Sequence, residues 1–415
     1  MAARKPTKRR RAPGAGAVAA GALLAGAPAF AKRLGANERI RIGCIGVGGR
    51  GWGVMHWARG VGQHKGTSAE IVAACDIYEP RKARLRKAGV PKVYHDFRRL
   101  IDRKDIEACI IATPDHWHAP MTIAAMESGK DVYCEKPMTR YWHEAKAVYY
   151  TAQRTKRVFQ IGSQGCSNAA WFRARKIREA GGTGQLVWTR TGSFRNSTCG
   201  QWDYYGINWN ATPEILDWDA FLGSARKLPF KPEYLERYFR WRKFWDYSGG
   251  IATDLFFHAL SHNMISLGDE MPTRVVSDGS IFHHNRDVPD THCVLAEFPS
   301  GNVLVMPGCM VNNSGIGEAI HGHWGTLHGG SLRREKAFAD KTCPEPTLPP
   351  RPDHMENFLQ CVHTREQPAC SGRTAYTTMV VIALCVESYR TQKAMHFDPV
   401  KEELLNPASP EDYVR

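Results

Sequence analysis

The chain reads as an α/β protein: an N-terminal Rossmann-type, doubly wound parallel sheet, then an α+β domain with a mostly antiparallel open sheet. Three observations predict this. From Ile40 to about Lys156, short apolar strand-like runs alternate with helical patterns, as in a parallel sheet buried on both faces. The run Ile40-Arg41-Ile42-Gly43-Cys44-Ile45 leads into Gly46, Gly48 and Gly51, a G-x-G-x-x-G spacing where a strand turns into a helix. With 415 residues, the chain is too long for one ordinary core, so two domains are expected.

Each glycine has a physical task in a dinucleotide site. Gly46 permits the tight turn, Gly48 lets a pyrophosphate approach the backbone, and Gly51 lets helix and strand pack closely. Gly49 and Arg50 lie within the same turn, and the helix N-terminus presents unpaired N–H groups to the phosphates. The second strand, from Ile71 to Cys75, ends in Asp76, an acid placed to bond the ribose hydroxyls and favour NAD over NADP. Asp76 follows Gly46 by thirty residues rather than about twenty, and the loop Gly60 to Ala69 accounts for the excess as an insertion. A helix from Pro80 to Ala88 and strands near Val93, at Ile106 to Ala112 and at Asp131 to Cys134 follow.

Two polar loops sit at strand ends, where open α/β sheets bind ligands. One is Thr113-Pro114-Asp115-His116-Trp117-His118, and the other is Glu135-Lys136-Pro137. His116 and His118 have no carboxylate or cysteine at a matching spacing, so no metal is expected.

Composition narrows the function. The hydrophobic fraction of 43% and charged fraction of 23% are those of a soluble globular protein. No apolar stretch reaches about 18 residues, so no membrane span is expected. The net charge of +15 owes six charges to Arg4, Lys5, Lys8, Arg9, Arg10 and Arg11, and the rest is spread without a dense basic helix. That pattern argues against a nucleic-acid partner. The basic stretch, the small-residue run from Ala12 to Ala27 and Ala29-Phe30-Ala31 resemble a twin-arginine export signal with its cleavage site, implying a periplasmic protein. A basic tail on a cytoplasmic protein is the alternative. The twelve cysteines include no C-x-x-C, and Cys44, Cys75, Cys109 and Cys134 lie in apolar runs, so they read as buried thiols.

The order Gly46-x-Gly48-x-x-Gly51, Ala112-Thr113-Pro114 with His118, then Gly129-Lys130-Asp131-Val132-Tyr133-Cys134-Glu135-Lys136-Pro137 resembles the Gfo/Idh/MocA oxidoreductase family. The resemblance implies an NAD cofactor (NADP the alternative), a Lys136 that reaches nicotinamide and substrate, and a proline bond that is often cis. It also implies a second domain whose exposed sheet face builds a homodimer or homotetramer. The expected organisation is residues 1–31 as export signal, 38–157 as dinucleotide-binding domain and 158–345 as substrate and oligomerisation domain. Residues 346–415 are expected to form C-terminal helices packing back on the core.

A second anchor is Ser248-Gly249-Gly250-Ile251-Ala252-Thr253-Asp254-Leu255-Phe256-Phe257-His258. Asp254 and His258 are four apart, so on a helix they share a face. By resemblance this pair handles the substrate proton, with Asp254 orienting His258. Histidine suits the base because its pKa lies near neutrality. The Phe256-Phe257 bulk departs from the family pattern and puts the pocket shape in question.

Residues 195–247 are aromatic and basic, and Trp241, Tyr247, Arg240 and the earlier Trp117 are candidate substrate contacts. Aromatic rings stack on sugar faces and arginines suit a carboxylate; an insertion packing on a second subunit is the other reading. His321, His323 and His328 read as structural. The expected function is an exported NAD(P)-dependent oxidoreductase of a carbohydrate with a recycled cofactor. The alternatives are glycoside cleavage through a transient keto sugar and a non-catalytic dinucleotide and sugar sensor.

Overall fold

The computed structural model describes residues 39–64 and 69–414. The proposed export segment, residues 1–31, lies outside the described residues.

Six parallel strands form the first sheet: β1 (Ile40–Ile45), β2 (Ala69–Cys75), β3 (Val93–Tyr94), β4 (Ala108–Ile111), β5 (Asp131–Glu135) and β6 (Phe159–Gly162). Their order is β3-β2-β1-β4-β5-β6, a doubly wound arrangement that switches direction between β1 and β4. The helices between them are α1 (Gly49–His64), α2 (Glu79–Lys87), α3 (Phe97–Ile101), α4 (Asp115–Glu127) and α5 (Trp142–Thr155). Helices on both faces explain why β4 is buried at every position. Phe159–Gly162 was expected to open the second domain. It instead pairs with β5 as the sixth parallel strand, its four residues all buried.

The second sheet collects β7 (Leu186–Arg190), β8 (Ser193–Phe194), β9 (Arg274–Ser280), β10 (Thr291–Glu297), β11 (Val303–Cys309), β12 (Ala319–Gly322), β13 (Gly325–His328), β14 (Ser331–Arg334), β15 (Met395–Asp398) and β16 (Glu403–Leu404). It is mostly antiparallel, with parallel pairing of β7 and β8 to β11. Alternation is clean in β10: His292, Val294 and Ala296 are buried, while Cys293, Leu295 and Glu297 are exposed. The remaining helices are α6 (Ala169–Glu179), α7 (Trp218–Leu222), α8 (Leu235–Phe239), α9 (Phe257–Leu267), α10 (His354–Thr364) and α11 (Gly372–Thr391).

Helix α11 joins the two sheets. Its Tyr376 stacks on Tyr149 of α5 at 5.4 Å, and its Ser388 hydroxyl accepts from the Ser277 amide of β9 at 2.9 Å. One continuous apolar core therefore runs from Ile111 and Val148 through Met379 to Val294 and Met306. Residues 195–247 pack against their own chain rather than standing free. Tyr78, Leu216, Trp218, Phe221, Tyr238 and Tyr247 form a separate core, sealed by the Glu79 amide donating to the Ile215 carbonyl at 2.8 Å.

The glycine turn is sterically demanding. A Cβ on the buried Gly51 would sit 1.9 Å from the Gly46 carbonyl oxygen, whereas one on Gly53, exposed on the opposite side of the same helix, meets nothing within 4 Å. Gly51→Ala is therefore expected to cost about 3 kcal/mol or more by forcing helix from strand. Gly53→Ala should be neutral or stabilise by up to about 1 kcal/mol. Denaturant unfolding of the two variants checks this; equal midpoints would refute the packing role of Gly51.

Candidate functional site

A cavity of about 760 Å³ opens where the carboxyl ends of the parallel strands meet the second sheet. Its floor is the glycine turn. Gly46 has φ of +78°, a left-handed conformation, and Thr113 and Ala112 leave no room there for a side chain. Gly48, Gly49 and Arg50 line the cavity, and a Cβ on Gly49 would meet nothing, so backbone and helix N-terminus lie open to a ligand. Gly51 lies beneath, where it spaces helix from strand. Asp76 lines the wall at the end of β2, accepting from the Val47 amide at 2.9 Å and the Tyr78 amide at 3.0 Å. Each carboxylate oxygen keeps a second lone pair for a ligand hydroxyl. Backbone amides, a helix N-terminus and an acid at this spacing fit a dinucleotide.

The reacting end is built around Asp254. Its Oδ1 accepts from Lys136 Nζ at 2.6 Å and from Arg242 Nε at 2.8 Å, and its Oδ2 accepts from the Trp202 indole at 2.7 Å. Lys136 also donates to the Asp254 carbonyl at 2.5 Å. Burial alone would raise this carboxyl, but Lys136 and Arg242, with hydrogen bonds from Lys136 and Trp202, hold it far below the usual carboxylate range. Asp254 is thus a permanent anion.

The expected pairing of Asp254 with His258 is not what forms. Ala252–Phe256 is a π-helical turn, so the spacing to His258 departs from the i,i+4 register of an α-helix. Both residues face the cavity, but His258 Nδ1 lies 3.3 Å from the Ser163 hydroxyl, and its Nε2 has no partner among the described residues. Burial, then the charge of Lys136, pushes the His258 imidazole down to about 3, so it is neutral at physiological pH.

The two polar loops divide their residues between wall and frame. Thr113, Pro114, Trp117, Glu135 and Lys136 line the cavity. Arg50 pairs with Glu135 at 2.8 Å. The Lys136–Pro137 bond is cis. His118, expected to touch the cofactor, is fully buried, with Nδ1 2.6 Å from the Pro137 carbonyl and Nε2 2.9 Å from the Thr113 carbonyl. It ties one loop to the other. Burial drives its imidazole down to about 4, so a single N–H serves one carbonyl at a time. His116 and the Trp117 indole both lie against the Phe221 carbonyl, at 2.8 and 3.0 Å, binding α4 to the 195–247 segment.

Within that segment the structure reassigns the substrate contacts. Trp241 lines the cavity, but Arg240 turns to Asp203, Glu236 and the Tyr205 carbonyl, and Tyr247 is fully buried in the aromatic core. Arg242, Arg195, Gln201, Tyr204 and Tyr205 line the cavity instead. Sequence reasoning finds Arg195, Tyr204, Tyr205 and Arg242 within the tract but picks Arg240 and Tyr247 as contacts and misses Gln201, because short helices and 3-10 turns give the tract no long period to phase. His321, by contrast, stacks on Trp188 at 4.3 Å in a strand pair, as a structural residue.

Comparison with known proteins agrees with this architecture. Residues 40–163 match the family model described as "Oxidoreductase family, NAD-binding Rossmann fold", and residues 172–415 match "Oxidoreductase family, C-terminal alpha/beta domain". Levoglucosan dehydrogenase of Pseudarthrobacter phenanthrenivorans is 35% identical over 134 residues, covering 32% of this chain and 31% of that enzyme. Alpha-N-acetylgalactosaminidase of Shewanella oneidensis is 36% identical over 131 residues, covering 29% of this chain and 27% of that protein. The matched stretches thus span about a third or less of these relatives. A solved levoglucosan dehydrogenase in complex with NADH and levoglucosan superposes with a TM-score of 0.63 at 20% identity, covering 86% of this chain and 99% of that one, a likeness of fold. On the two family models, which together account for both sheets, the chain belongs to the Gfo/Idh/MocA oxidoreductase family.

Proposed function

We propose that this chain is an NAD-dependent oxidoreductase moving hydride to or from a hydroxyl-bearing carbon of a carbohydrate, with its cofactor tightly held and recycled. One observation carries the reading: Lys136 at the end of β5 and Asp254 from the second sheet's side meet at 2.6 Å on the cavity into which the glycine turn opens. When bound at that turn, NAD supplies the hydride acceptor. Gly48, Gly49 and the α1 N-terminus hold its phosphates, and Asp76 holds its adenosine ribose. The same acid is the reason to favour NAD over NADP.

His258 is the base. As a neutral imidazole with a free Nε2, it accepts the substrate hydroxyl proton. Lys136 donates to the substrate oxygen and stabilises its developing charge. Asp254 is too weak a base to take that proton, because two cations and an indole stabilise its anion; it positions Lys136. Trp117 and Trp241 supply apolar faces for a sugar ring.

Glycoside cleavage through a transient keto sugar is the second reading, supported by the similarity to an alpha-N-acetylgalactosaminidase. Free sugar released from a glycoside without NADH accumulating would select it over simple dehydrogenation. We read residues 1–31 as a twin-arginine export segment, which favours a recycled cofactor because no nicotinamide pool is available outside the cytoplasm. We read the chain as a homodimer or homotetramer, supported by Val187 and Leu295, each about half exposed on the open face of the second sheet.

Lys136→Met is expected to lower turnover by about 10²- to 10⁴-fold while NAD remains bound; full turnover would remove Lys136 from the chemistry. For sugar oxidation, kcat/KM should hold steady as pH falls to about 5, since His258 protonates near 3 rather than at the ordinary 6.5. An acid limb centred at 6.5 would reject the neutral-imidazole base. Protein denatured without added nucleotide should release about one NAD per chain, read by mass spectrometry. Empty protein would overturn the recycled cofactor.

A further inference from the structure

At the reacting end of the cavity, cations outnumber the carboxylates with which they form direct ion pairs. Asp254 is shared by Lys136 and Arg242. Behind the wall, Asp203 is shared by Arg240, Lys243 and Arg286, with Glu236 touching the first two. Arg286 has a fully buried side chain, lies 5.0 Å over the Trp202 ring, and leaves Nε and Nη1 without a hydrogen-bond partner. Five cations thus stand against three carboxylates in these ion pairs.

Arg195 adds a sixth. It lines the cavity, and its guanidinium forms no ion pair or hydrogen bond among the described residues. Its backbone is fixed: the Arg195 amide donates to the Cys309 carbonyl of β11 at 2.9 Å, and the residue bridges Asn312. The exposed side chain therefore springs from backbone held at the end of the second sheet. Gln201, Tyr204 and Tyr205 line the same cavity, and the Arg242 guanidinium lies 4.1 Å over Trp241 and 5.9 Å from Tyr205.

The cofactor does not answer this surplus. Its diphosphate belongs at the glycine turn, where Arg50 is matched by Glu135 and Arg81 lies near Asp76. Arg195 comes from the opposite wall, on the second sheet. A neutral sugar would leave that guanidinium unmatched, whereas the planar fork fits a carboxylate or ester oxyanion in two parallel hydrogen bonds.

We infer that the substrate is an anionic carbohydrate, its carboxylate bound by Arg195 while its reacting hydroxyl faces Lys136 and His258. This rests on the oxidoreductase reading above. The carboxylate and a sulfate ester share the recognition chemistry, and the test separates them. Trp241, Tyr204 and Tyr205 supply the apolar wall for the ring, so recognition combines stacking with one charged anchor.

The test uses the full chain with its bound cofactor and three probes: glucose, glucuronic acid and a sulfated glucose, each also as a methyl glycoside. Reduction of the bound NAD in a single turnover, followed across probe concentrations, gives the rate constant that stands for kcat and the apparent KM. The expected result is a kcat/KM for the glucuronate compounds at least about tenfold above glucose. In Arg195→Gln that ratio collapses by a similar factor through KM, and in Arg195→Lys it is partly restored, which loss of folding would not produce. A preference for the sulfated over the carboxylated probe would overturn the carboxylate. Glucose turned over as well as either anion, with Arg195→Gln leaving the ratio unmoved, would overturn the anionic assignment and leave the oxidoreductase reading standing. No reduction of the bound NAD with any probe, even transiently in a single turnover, would overturn both.

Discussion

Asp254 is the charge on which the site depends. A carboxylate removed from water is costly unless opposed, and here Lys136, Arg242 and the Trp202 indole oppose it together. These groups come from three parts of the chain: the end of a parallel strand, the aromatic segment, and the turn that carries Asp254 itself. Each brings its own element into register, so the cavity's shape and its electrostatics are one constraint. Removing one partner would leave a buried charge unmatched, which penalises any arrangement in which the three parts drift apart.

The turn bearing Asp254 is itself braced from the parallel sheet. Ser248 donates to the buried Asp115 carboxylate at 3.0 Å, and the Gly249 amide donates to the Thr253 hydroxyl at 2.9 Å. Gly250, at φ of +62°, makes the entry that Val288 would deny to a side chain. Burial raises Asp115 to about 6, with Arg242 pulling the other way, so this brace is close to its own protonation threshold. His118 does similar work on the other side, fastening the Thr113 and Pro137 loops to each other. Much of the polar chemistry around the cavity serves to hold a few groups still, as preorganised electrostatics demands.

The aromatic segment has two physical roles that its composition hides. Tyr78, Phe221, Tyr238 and Tyr247 make it a packed core of its own against the parallel sheet, and that core presents Trp241, Arg242 and Tyr205 to the cavity. Arg240 and Arg242 are neighbours in sequence with opposite tasks: the first satisfies Asp203, the second Asp254. A 3-10 turn at Trp241–Lys243 separates their directions.

What the amino-acid sequence by itself determined was local. A glycine turn between an apolar strand and a helix, alternating burial in strands such as β10, and Glu-Lys-Pro at a strand end are all encoded within a few residues, where sterics and period act directly. The fold class and the cavity positions of Gly48, Asp76, Lys136, Asp254 and His258 were legible on that basis. Tertiary structure alone decided the rest. Phe159–Gly162 reads as a strand from sequence, but only its pairing with β5 assigns it to the parallel sheet. His118 and Tyr247 carry the chemistry of binding residues and are buried as struts. A π-helical turn and the competing cations Lys136 and Arg242 took Asp254 away from His258. In each case the deciding partner lies far along the chain, and a buried charge or hydrogen bond is satisfied by whichever group the fold brings within reach, not by the nearest in sequence.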